Sequence, residues 1–204
     1  SVALDVSSRT SAVLTKIIFR EFLGFEPEWR EARPDLDEML AGSDCALLIG
    51  DPALRVAAAA ADTRDASVQT FDLAELWHKY TGLGFVFAMW MIRRADAPVD
   101  FAAVRDEGIA HMDEIAANYS GDVALSRDGI KKYLTSNISY EIDEKMQAGL
   151  ELYFELAFKN GLIDANRPLD FAAAGRVSLE DTGLEQQQPS SHDNKHHQPD
   201  VRRS

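Results

Sequence analysis

Cysteine is almost absent from this 204-residue chain: Cys45 stands alone. A single thiol excludes an internal disulfide and fits a reducing compartment, so a cytoplasmic location is expected. Long hydrophobic runs are missing as well. The stretch LGFVFAMWMI at 83–92 is about half of what a bilayer demands and is closed by Arg93 and Arg94. It is read as a buried strand, and no membrane association is expected. Positive charge is in deficit, with 21 Lys and Arg against 34 Asp and Glu and a net charge of −13. Such a potential repels phosphate backbones, and no basic stripe with interleaved aromatics offsets it, so nucleic acid is excluded as a partner. A small anion is not excluded, because a surface field is screened beyond about 8 Å while donors inside a cleft act locally. Metal and cofactor signatures are lacking too. No HExxH or CxxC occurs, TGLG at 81–84 is not GxGxxG, and GIKK at 129–132 is not GK[ST]. No metal and no cofactor are expected. His192, His196 and His197 resemble a metal tract only in composition.

What is present is a chain with 46% hydrophobic and 27% charged residues, enough for one or two domains with a sizeable core. Residues 1–82 alternate between strand and helix. Val2 to Asp5 reads as a short strand. A helix is expected over 9–23, with Leu14, Ile17, Ile18 and Phe22 on one face and Gly24 placed to end it. A strand over 27–30 and a short helix between Pro34 and Gly42 follow. CALLIG at 45–50 is a continuous apolar strand of the kind buried on both faces of a parallel sheet. Asp51 and Pro52 then turn the chain into another helix. Residues 68–71 read as a strand, and Asp72 as the N-cap of DLAELWHKYTG.

Beyond 92 the pattern is mostly helical. Phe101, Val104, Met112 and Ile115 support one helix, and SRDGIKKYL, opened by a capping serine, a second. Met146, Leu150, Tyr153, Phe154 and Ala157 give a third, amphipathic helix that ends near Gly161. Residues 181–204 contain too little apolar surface to offset their ordering entropy and are expected to form a disordered tail.

The alternation favours an α/β fold with a parallel sheet, in which ligands sit at the carboxyl ends of strands. Two stretches stand at such ends: VSSRTS after the first strand and GDPAL after CALLI. Ser8 is placed as an N-cap, with Thr10 and Ser11 in the first helical turn. The free N–H groups there carry roughly +0.5 of a charge, and the hydroxyls add donors, so a carboxylate or phosphate would be held. Taken alone, plain capping is the better reading of this stretch, although four hydroxyls within residues 7–11 exceed what one cap needs. Arg9 disfavours the dipole as a first-turn residue but presents a fork that fits a carboxylate; a solvated arginine is the preferred reading of it. Gly50 lets a ligand approach the backbone closely. Asp51 has three readings: it orients a hydroxyl, acts as a base, or caps the helix that Pro52 begins. His78 and His111 read as ordinary helical histidines, and Cys45 as inert packing in a strand.

Taken in order, these landmarks resemble one family. S-S-R-T-S before an apolar helix, A-L-L-I-G-D-P-A-L, D-L-A-E-L-W-H-K-Y-T-G-L-G-F-V-F-A-M-W, T-S-N-I-S-Y-E-I-D-E and E-L-A-F-K-N-G-L-I are similar to the chorismate dehydratases of the futalosine route to menaquinone. The resemblance covers about residues 1–165. It implies an α/β fold like the type II periplasmic binding proteins, with two lobes and a ligand cleft between them. On this basis residues 1–82 form a lobe carrying the hydroxyl loop and the IGD element. Residues 83–180 form a crossover strand and the helices of a second lobe. Family members carry about one lobe-half more before the position of Ser1, so the second lobe is expected to be incomplete. Gly84 stands where the family has Pro, which relaxes the backbone at the crossing.

The implied activity is a carbon–oxygen lyase reaction, dehydration of chorismate to 3-[(1-carboxyvinyl)oxy]benzoate, with no cofactor and a small-molecule substrate as partner. Ser8, Thr10 and Ser11 match the family's hydroxyl loop and would hold a substrate carboxylate. Gly50 would face the same cleft, and Asp51 is the catalytic candidate, unless the substrate's own enolpyruvyl carboxylate serves as the base. Two alternatives share this fold: 1,4-dihydroxy-6-naphthoate synthase, and a non-catalytic small-anion-binding protein. A third expectation is that a chain with an incomplete second lobe is itself inactive, since half a cleft has nowhere to close.

Overall fold

A computed structural model of the chain describes residues 1–63, 68–92, 100–119 and 125–171. The expected tail at 181–204, with its three histidines, lies outside the described residues. The described part is a mixed helix and strand structure built on a small parallel sheet. Strands β1 (Val2–Asp5), β2 (Trp29–Ala32) and β3 (Cys45–Leu47) lie in the order β2-β1-β3, so β1 is central. Val2 pairs with Trp29 on one side and Cys45 on the other, both parallel. Every residue of β1 is buried. This explains why VALD is apolar up to its last residue: a central parallel strand has no face for water.

Helices α1 (Arg9–Ile17), α2 (Leu36–Gly42), α3 (Gly50–Thr63), α4 (Leu73–Thr81), α5 (Phe101–Ala110), α6 (Met112–Tyr119), α7 (Arg127–Lys132) and α8 (Glu144–Lys159) complete the elements. Short polar side chains start most of them. Asp35, Asp72, Asp100, Ser126 and Asp143 each accept first-turn N–H groups, at distances such as 2.7 Å from Met146 N to Asp143. Such caps stabilise by about 1 kcal/mol apiece.

The main core lies between α1, α4 and α8. Leu14, Ile17, Ile18, Trp77, Tyr153 and Ala157 pack together there, with Phe22, Tyr80 and Phe85 around them. The Trp77 indole is wholly buried, and its N–H donates to Gly84 O at 3.1 Å, so its one polar atom is satisfied. Thr81 fastens the same turn, donating to Trp77 O and accepting from Leu83 N. Helix α8 crosses over this turn at Gly149, where a Cβ would collide with Gly84 O. Gly149 is therefore required by close approach, and so is the absence of bulk at Gly84, whose Cβ would meet Met146 Cγ at 2.7 Å. A second, smaller cluster of Val2, Leu4 and Leu47 holds the sheet against Phe19, Trp29 and Leu73.

Several expectations are corrected. LGFVFAMWMI is not a strand: residues 83–92 form no ladder, and from Phe87 onward they are exposed. Phe85 docks into the main core, edge-on to Trp77 and Tyr153 at 5.6 and 5.3 Å, while Trp90 meets only the ring of Phe101, at 5.2 Å, among the described rings. A continuous apolar run needs a strand on each side, and none of the described strands flanks it. Residues 68–71 also lack a ladder partner and run irregularly into the Asp72 cap. The strand in CALLIG is confined to Cys45–Leu47, and Cys45 is exposed, because among the described strands β3 pairs with β1 alone and forms an edge. The helix after Ser8 widens into a π-type segment over Ile18–Leu23 before Gly24 ends it. The single helix expected across 101–115 is broken at His111, whose backbone leaves helical geometry and whose ring Nδ1 lies 2.8 Å from Glu107 O. Helix α8 packs on residues 83–85 and also completes the core of α1 and α4 with its apolar face.

Candidate functional site at the strand tips

Parallel neighbours bring their carboxyl ends to one edge of the sheet. Leu4 is in register with Leu47, so the chain leaves β1 toward Ser8 and leaves β3 toward Gly50 at the same edge, on strands about 4.8 Å apart. Helices α1 and α3 both begin there, and their first-turn N–H groups have no acceptors within their own helices. The two segments singled out in the sequence thus share one sheet edge.

Within the hydroxyl loop the residues divide their roles. Ser8 is extended, at φ −130 and ψ 110, and caps α1: its Oγ accepts Ser11 N at 3.3 Å and donates to Ser11 Oγ at 3.2 Å. Ser11 is buried and lies behind Ser8. Thr10 is half-buried, and its hydroxyl has no hydrogen-bond partner among the described residues. Its carbonyl accepts the Tyr153 hydroxyl at 3.3 Å, which ties α8 to the first turn of α1. Burial pushes the Tyr153 phenol up to about 12, so it remains a donor throughout the neutral range. Arg9 is exposed, with no carboxylate paired to it among the described residues. A free guanidinium at this edge gives local positive charge to an otherwise acidic chain.

On the β3 side, Gly50 has φ +63, a conformation that strains any side-chain-bearing residue, and it opens α3 directly. Asp51 is exposed in the first turn of α3 and makes no side-chain hydrogen bond among the described residues. The capping reading of Asp51 is thereby corrected: with α3 opening at Gly50, Asp51 lies two residues past the N-cap position at Ile49, and its carboxylate has no partner among the described residues.

The sequence reading overlooked Asp5. The signal was a charged residue closing an otherwise apolar strand, and in the structure its side chain has no solvent exposure. Among the described residues no group of His, Cys, Asp and Glu side chains is arranged to hold a metal ion. No helix of the described residues is long and apolar enough to cross a membrane. Two open grooves, one at Glu151, Phe154 and Asn166–Leu169 and one at Thr70–Asp72, Glu75, Leu76 and Lys79, include none of the strand-tip residues in their lining.

Known proteins bear on what this edge does. A family model described as menaquinone biosynthesis matches residues 1–159. The chain belongs to that family. It is also 32% identical over 169 residues to a chorismate dehydratase of Thermus thermophilus, a match that covers 76% of this chain. The chain spans 61% of the length of that relative. Both strand-tip segments fall inside the residues that the family model matches.

Proposed function

We propose that this chain contributes the substrate-holding edge of a chorismate dehydratase acting in the futalosine route to menaquinone, a carbon–oxygen lyase of the cytoplasm. The carrying observation is that the Ser8–Ser11 loop and Gly50–Asp51 leave adjacent parallel strands at one sheet edge, each beginning a helix. The identity to a chorismate dehydratase supports the choice of substrate.

Chorismate carries two carboxylates and a ring hydroxyl, and loss of that hydroxyl with a neighbouring hydrogen makes the ring aromatic. The driving force lies in the substrate, so the protein's work is to fix the carboxylates, accept a proton and assist the leaving hydroxyl. On this reading the Thr10 hydroxyl and the first-turn N–H groups of α1 hold one carboxylate, and Ser8 and Ser11 keep that turn in shape. Arg9 adds a charge-assisted contact. Gly50 admits the substrate to the backbone, and Asp51 or the substrate's enolpyruvyl carboxylate takes the proton. We further read the whole fold as type II periplasmic-binding-protein-like. Residues 1–82 then form the lobe with the hydroxyl loop, and residues 83–180 belong to the other lobe, with α8 lying back against the first.

Incubation with chorismate tests the reading: an aromatic product lacking one water is expected by absorbance and mass. Recovery of bound chorismate unchanged would favour the non-catalytic binder. Thr10→Val is expected to raise KM about tenfold with little change in melting temperature, the loss of one hydrogen bond to a charged group. Ser8→Ala is expected to cost about 1 kcal/mol of stability as well, because it removes the cap.

A further inference from the structure

Asp5 ends the central strand with a carboxylate that the fold leaves half used. Its Oδ1 accepts the Ser7 N–H at 2.8 Å, which turns the group toward the link that leads into α1. Its Oδ2 is buried and has no hydrogen-bond partner among the described residues. A buried acceptor without a donor is costly, and native folds seldom carry one without a use. The position is also particular. Asp5 is the last residue of β1, at the carboxyl edge of the sheet, three residues before the Ser8 cap closes the start of α1. The link that follows it, Val6 and Ser7, is exposed and is fastened to Asp5 by that Ser7 N–H bond.

This corner therefore offers two complementary chemistries. The start of α1 supplies donors and partial positive charge for an anion, and Oδ2 supplies a lone acceptor for a hydrogen-bond donor. A cationic donor is disfavoured beside a helix N-terminus, whereas a neutral hydroxyl is not. We propose that Asp5 Oδ2 receives the hydroxyl of a ligand whose carboxylate sits on the first turn of α1, so that the corner selects hydroxy acids. The inference rests on the functional reading above and deepens it. Asp5 becomes a specificity-determining residue that recognises the acid while its hydroxyl is present. Dehydration takes that hydroxyl away as water, its second hydrogen being the proton lost from the neighbouring ring carbon, leaves Oδ2 unpaired again and so favours product release.

Two unreactive ring acids separate the hydroxyl from the rest of the ligand. Shikimate and cyclohex-1-ene-1-carboxylate share a ring and a carboxylate, but only the first carries hydroxyls. Calorimetric titration of the full chain is expected to show shikimate bound roughly tenfold or more tightly, as for a hydrogen bond to a charged acceptor. Asp5→Asn keeps an oxygen for Ser7 N–H and replaces the acceptor Oδ2 with a donor. It is expected to erase the preference, to leave affinity for the unhydroxylated acid within about threefold, and to hold or raise the ligand-free melting temperature. Equal binding of the two acids by the unaltered chain overturns the proposal, as does a preference that survives in Asp5→Asn. A ligand-free melting temperature lowered by more than about 4 °C, or failure of the variant to fold, also overturns it, since Oδ2 would then serve the structure. Turnover of chorismate without the hydroxyl preference removes Asp5 from the account and leaves the dehydratase reading. The preference without turnover does the reverse.

Discussion

The interface of α1, α4 and α8 and the stretch from Phe87 to Ile92 are made of the same kinds of side chains, and the fold treats them oppositely. In the interface, Leu14, Ile17 and Trp77 have no solvent exposure. In the stretch, Trp90 is 62% exposed and Met91 89% exposed. The difference lies in how each arrangement obtains its partners. Residues 14, 17 and 18 share a face with period 3.6, as do 73, 76, 77 and 80, and as do 150, 153, 154 and 157. A helix that carries such a face needs only another helix like it, and the chain supplies three. An unbroken apolar run carries no such face. It is buried only where strands flank it on both sides, and none of the described strands does so.

The comparison can be broken most forcefully at Trp77. Trp77→Ala is expected to cost about 3–5 kcal/mol, through the cavity it leaves and the lost bond to Gly84 O. Urea denaturation reads this directly, and a loss under about 1 kcal/mol would mean that the three-helix core is not what holds the molecule together.

Next in size is a pair of helical glycines. Gly149→Ala drives a Cβ into the Gly84 carbonyl and is expected to cost about 1–3 kcal/mol. Gly108→Ala, in α5 with nothing within 4 Å of the added carbon, is expected to stabilise by about 0.5–1 kcal/mol. Opposite signs for one chemical change would show that close approach, rather than helix propensity, governs Gly149. The smallest effect belongs to the exposed run. Trp90→Lys with Met91→Lys is expected to leave stability within about 0.5 kcal/mol while reducing self-association in light scattering.

Much of the candidate site was legible because its signals are local. Ser8 announces a cap by its type and by the apolar helix that follows. Gly50 stands out as the one residue type that enters the left-handed region freely, and its φ is +63. Asp51 was harder to read, since an Asp before Pro at a helix start fits a cap as well as a free carboxylate. Only the helix boundary at Gly50 separates the two. Asp5 passed unnoticed because nothing near it in sequence reports whether its second oxygen finds a donor. That depends on every element packed around β1.

Sequence alone determined the parallel pairing class of the first 50 residues, the capped helix starts, and the amphipathic faces of α1, α4 and α8. Each follows from period, side-chain size or a hydroxyl at the right offset, which are properties of neighbours along the chain. Tertiary structure decided that β3 is an edge among the described strands, that α8 returns to lie on α1, and that 87–92 stays largely exposed. It also decided that a carboxylate is sealed beneath the start of a helix. Those outcomes turn on which surfaces are left over once the strongest pairs have formed, a competition among distant segments that local pattern does not encode.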